Sequence, residues 1–211
     1  MAARFYSSNM SVALAALLIS GSLHFACFAK WPGHPDWDVH HSVFAAQNFV
    51  AQGRLVSINL YPEYDDNLAR HTQLRWMTHW PPAHSWLYMA AISSGLSAGA
   101  STKVLAALCV LLGGLGWVCL IRALGGSLYG MAVVAAAYPW LSFVARLYLD
   151  YKNDHLACAL APWIYLAVMR IEPISESKDD RWGRLLFAAL MTGIAVTVKY
   201  SLIPVLIASA L

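Results

Sequence analysis

The sequence predicts an all-α, polytopic membrane helix bundle, and three observations carry that expectation. Of 211 residues, 59% are hydrophobic and 12% charged, with a mean hydropathy of +0.54, outside the balance of a water-soluble domain. Uninterrupted apolar runs occupy 11–29, 104–121, 128–145, 155–169 and 185–211, most of them near the ~20 residues that cross a bilayer as helix. Between the first two runs lies a polar stretch, 30–103, that gathers carboxylates, imidazoles and tryptophans beside the membrane.

The first run follows Arg4 and ends in HFACFAKW. Bulky aromatics stand where a cleavage site needs small residues, so a retained anchor is expected rather than a removed signal peptide. In the polar stretch, HSVFAAQNFVAQG predicts an interfacial helix at about 41–53. Val43, Ala46, Phe49 and Val50 share one face at helical spacing, and Gly53 can end the helix.

A second interfacial helix is expected at about 82–97, in PPAHSWLYMAAISSGLSAG. His84, Ser85, Trp86 and Tyr88 near one end, with Ser93, Ser94, Gly95 and Ser97 at the other, suit the headgroup level. Were this segment to span, Asp38 and Asp154 would fall on opposite sides of the membrane. The positive-inside rule favours the flat arrangement. It leaves Arg4, Arg122, Arg170, Lys178, Arg181 and Arg184 cytoplasmic, and puts 30–103 and the 146–154 turn outside.

The later runs complete five expected spans in a single transmembrane module, 1–211. The chain stops at Leu211 inside an apolar run with no closing polar tail, so a truncated chain is expected. A formal charge of +3, with scattered rather than clustered basic residues, argues against nucleic acid as a partner. Cys27, Cys109, Cys119 and Cys158 lie in or beside apolar runs without metal-type spacing and read as packing residues.

Two acidic clusters could carry chemistry. Asp36 and Asp38 flank Trp37, and an extended backbone would point both carboxylates to one side. Such a pair can hold a divalent cation or supply a base toward an acceptor hydroxyl; equally, it can cap the helix that follows. Asp150 and Asp154 are four apart and share a face if the turn is helical, although Asp154 also sits where an N-cap would. Ionisable groups this close to a span are costly unless paired or facing water.

His34, His40, His41, His71, His79 and His84 share the polar stretch, but no HxxxH or HExxH pattern is present, so hydrogen bonding or phosphate contact is expected rather than zinc. Arg70, Arg75, Lys103, Arg146 and Lys152 are cations able to meet a phosphate. Lys199 lies inside the last apolar run, where an ammonium needs a partner or must snorkel.

DWDVHHSVFAAQNFVAQG resembles the first external loop of the GT-C superfamily of membrane glycosyltransferases, in which an aspartate precedes an interfacial helix ending in glycine. HWPPAHSWLYMAAISSGLSAG and NDHLACALAPWIYLAV are similar to the Pro-Pro segment and second acidic site of its protein mannosyltransferase and aminoarabinose transferase branch, and AVTVKYSLIPVL to its Lys-containing helix. The motifs are short but occur in order through nearly the whole chain.

The resemblance implies transfer of a sugar from a polyprenyl-phosphate donor to a lipid, glycan or protein acceptor, on the outer face of a plasma or inner membrane. It implies Asp38 as catalytic base or as a residue that helps position the acceptor, and Arg75, His79, His40 and Lys199 as substrate or phosphate contacts. Asp36, Asp150 and Asp154 become ligands of a divalent metal, magnesium or manganese, where the branch uses one. Val39 stands where many members have a second acidic residue, and Trp80 where aminoarabinose transferases have Lys. An ion-coupled transporter component and a non-catalytic truncated remnant are the alternative readings.

Overall fold

The computed structural model describes residues 2–30, 37–53, 56–58, 74–76, 83–141, 144–145 and 154–169, with further helical positions at 186, 189–190 and 193–194. Six helices dominate: α1 (Ala2–Phe28), α2 (Trp37–Gln52), α3 (Ala83–Ser93), α4 (Ala98–Ala123), α5 (Leu128–Ala137) and α6 (Asp154–Met169). The exception is a small antiparallel ribbon between α2 and α3. It pairs β1 (Val56–Ile58) with β2 (Leu74–Trp76), Ser57 opposite Arg75.

Local chemistry sets the helix ends. Ser97 and Ser127 cap α4 and α5, their hydroxyls accepting from the amides of Ala100 and Gly130 at 3.2 Å each. At the other end of α4, Gly125 takes φ +78°, and the Gly126 amide donates back to the Ile121 carbonyl at 2.8 Å. That bond closes the helix in the left-handed turn glycine adopts without a Cβ clash. Gly53, at φ +70°, ends α2 in the same region of backbone space.

Among the described residues, two helices are long and apolar enough to cross a membrane: α1 over Met10–Phe28 (19 residues, mean hydropathy 1.8) and α4 over Ala98–Ala123 (26 residues, 2.6). The expected continuous run 128–145 is interrupted. After 10 residues α5 tightens into a 3-10 turn, Tyr138–Trp140, because Pro139 has no amide to donate and its ring crowds the preceding turn. Leu141 is then extended, at φ −56° and ψ 131°.

The helices run alternately up and down. A Cβ on Gly114 would meet Leu17, and one on Gly21 would meet Leu111, while the Lys103 ammonium donates to the Ala29 carbonyl beyond the end of α1. Rising numbers in α1 thus meet falling numbers in α4, so the two are antiparallel. Ala13 and Leu17 pack with Met131 and Ala135, Ser20 Oγ donates to the Ala136 carbonyl at 2.5 Å, and His24 meets the Trp140 ring edge-on. Hence α5 runs parallel to α1. Gly113 abuts Ala159, and Gly116 abuts Pro162 and Trp163, so α6 runs parallel to α4.

The finish of α1 meets the start of α4; the 3-10 turn after α5 and the start of α6 point toward that same end, the turn lying level with Gly113 and Gly114 midway along α4. α3 lies at that end. It has 11 residues, about 16 Å of helix at ~1.5 Å per residue, and leads directly into the first turn of α4. It does not carry the chain from one end of the bundle to the other.

Candidate functional site

The loop-side end of the bundle is built on a layer of buried polar groups. Val39, Ala46, Tyr88, Ala106, Val110, Tyr138 and Val144 form one hydrophobic cluster joining α2, α3, α4 and the 3-10 turn. Against it, Ser42, His84, Ser85, Ser101 and Thr102 are also buried. A side-chain hydrogen bond links Tyr88 to Thr102, and burial pushes the Tyr88 phenol above the usual tyrosine range, with that bond opposing and nearby Cys109 adding to the rise. Thr102 also donates to the Ala98 carbonyl at 2.9 Å. The Tyr88–Thr102 bond joins α3 to α4, and apolar packing through Val39 and Ala46 adds α2.

Asp38 is the second residue of α2, not a residue ahead of the helix. The expected extended geometry, with Asp36 and Asp38 pointing to one side, therefore does not apply at Asp38. Helix begins at Trp37 because Val39, Ser42, Ala45 and Ala46 form a buried face that starts before the anticipated 41. Of the expected apolar face, Ala46 is buried while Phe49 and Val50 are exposed. The packed face is rotated toward the small residues, which let α2 approach α3 closely. A carboxylate in a first helical turn lies where free amides and the helix dipole favour negative charge.

His40 is exposed and His41 half-buried. Burial first, and the neighbouring His40 second, lower the His41 pKa from its ordinary value, keeping the imidazole neutral further into acid. Asp154 opens α6 and is partly buried. It too sits in a first turn. Arg75 lies in β2, opposite Ser57. Asp36, His79, Asp150 and Lys199 lie outside the described residues, as do His34, His71, Arg70, Arg146 and Lys152.

Val39, next to Asp38, packs in the cluster with Ala106, Val110 and Tyr138, and Asp154 opens α6, which runs parallel to α4. Among the described residues no three His, Cys, Asp or Glu side chains gather as a metal-binding group. Lys103, expected in the loop, belongs to α4, where its ammonium ties the start of that helix to the end of α1.

Sequence reasoning passed over His24. It is buried in α1, its ring centroid 4.6 Å from that of Phe28 and 5.2 Å from that of Trp140. A histidine inside an apolar run was the available signal, because ionisable groups there are rare and generally packed for a reason.

No family model matches the chain, and no curated protein or solved structure is significantly similar to it.

Proposed function

We propose that the chain is a multi-pass integral membrane protein and the N-terminal catalytic module of a GT-C-type glycosyltransferase, its site facing outward from a plasma or inner membrane. The membrane part of this reading is supported by what the helices expose. Val12, Leu18, Ile19 and Leu23 of α1 and Val104, Leu108 and Leu112 of α4 all point away from the protein interior. A core helix of a water-soluble protein turns such residues inward; a helix in lipid does not.

One observation supports the catalytic part: Asp38 and Asp154 each lie in a first helical turn, and Val39 beside Asp38 packs into the cluster that joins α2, α3 and α4. In the shared outward cavity of this reading, the Asp38 carboxylate takes the proton of an acceptor hydroxyl as its oxygen attacks the anomeric carbon. The bond from that carbon to the donor phosphate breaks, and polyprenyl phosphate leaves with the bonding pair, giving inversion.

The leaving group is already a stable anion, so the protein's work is alignment, one base and charge neutralisation. Arg75, His79, His40 and Lys199 are the groups assigned to the donor phosphate. Asp36, Asp150 and Asp154 would supply the hard oxygen ligands that magnesium or manganese takes.

The test is transfer of labelled sugar from a polyprenyl-phosphate donor by the full chain in membranes. Asp38→Asn should abolish transfer while membrane insertion stays unchanged; a variant that transfers normally removes Asp38 from the mechanism. Side-specific thiol labelling of Asp38→Cys and Asp154→Cys, in a background with the four native cysteines replaced, should mark both from the external side. Labelling from opposite sides would end the shared-cavity reading.

A further inference from the structure

We draw no further inference here: the strongest candidate, the apolar groove between α1 and α4 walled by His24, Phe25, Val104 and Leu108, carries no proposal because nothing in the structure shows what covers it.

Discussion

The helix seams of the bundle and the α2–α3 layer at its loop-side end are held together by opposite means. Along the seams, α4 presents Gly113, Gly114 and Gly116 to Tyr138, Leu17 and the Pro162–Trp163 pair, so backbones approach where side chains are missing. At the end, Ser42, His84, Ser85, Ser101 and Thr102 are buried, Thr102 bonded to the Ala98 carbonyl and to Tyr88. The difference follows from the surroundings. Under the proposed membrane reading, helices in lipid would gain little from hiding apolar surface, so close packing of small residues would supply their association. On the same reading the end layer would sit at the headgroup level, where water competes for polar groups and burial favours those with partners, as Tyr88 and Thr102 have in one another.

The contrast breaks most severely at Gly113. A Cβ there would lie 3.0 Å from Tyr138 Cζ and 3.2 Å from the Ala159 Cα, which is backbone and cannot swing aside. Gly113→Val should cost about 3 kcal/mol, the upper range for overpacking, read as a lowered unfolding midpoint in detergent. A midpoint like that of the unaltered chain would show that α4 and α6 do not pack as described.

Ser20 is the polar exception within the bundle. Its hydroxyl donates to Ala136 at 2.5 Å and accepts from Trp140 Nε1 at 2.9 Å, stitching α1 to α5. Ser20→Ala leaves the indole N–H without that acceptor and should cost about 1–2 kcal/mol. A loss below a few tenths of that would make the seam purely steric, sharpening the comparison.

In the end layer, Tyr88→Phe keeps the buried ring and removes only the link to Thr102. A loss of about 1 kcal/mol is expected, with the helix content of α4 unchanged by circular dichroism.

The smallest effect is in pH. His41 has a folded pKa lowered by burial and by His40, so the unfolded chain binds the proton more readily. Stability is therefore fully present above the ordinary value of ~6.5 and falls as pH drops below it toward the lowered folded value. The unfolding midpoint should fall between pH 7.5 and 5.5, and His41→Gln should reduce that fall. An equal fall in both would assign the pH dependence elsewhere.

Much of the helical outline was legible in the residues, because apolar runs and turn glycines are local signals. Asp154 opens α6 one residue before the anticipated 155, and Gly53 ends α2 where its lack of a Cβ predicts. The break at Pro139 was in plain view but invisible to a count of apolar residues, since what proline lacks is an amide rather than hydrophobicity. The start of α2 at Trp37 and its rotated face depend on α3 and α4, which lie more than thirty residues along the chain. Of the candidate site, Asp38 and Asp154 could be named from sequence, but that each lies in a first helical turn depends on where α2 and α6 begin. Gly113 and Gly116 drew no notice because a glycine shows its purpose only when a partner stands against it.

The parallel course of α4 and α6 has a consequence for synthesis. Two neighbours that point the same way cannot be made as a hairpin; the chain must travel back through α5 before α6 can begin. During translation α4 thus exists for some time with the Gly113 and Gly116 face uncovered, and Trp163 arrives last, its indole N–H donating to the Leu112 carbonyl at 3.0 Å. The ribosome delivers the lock well before the key.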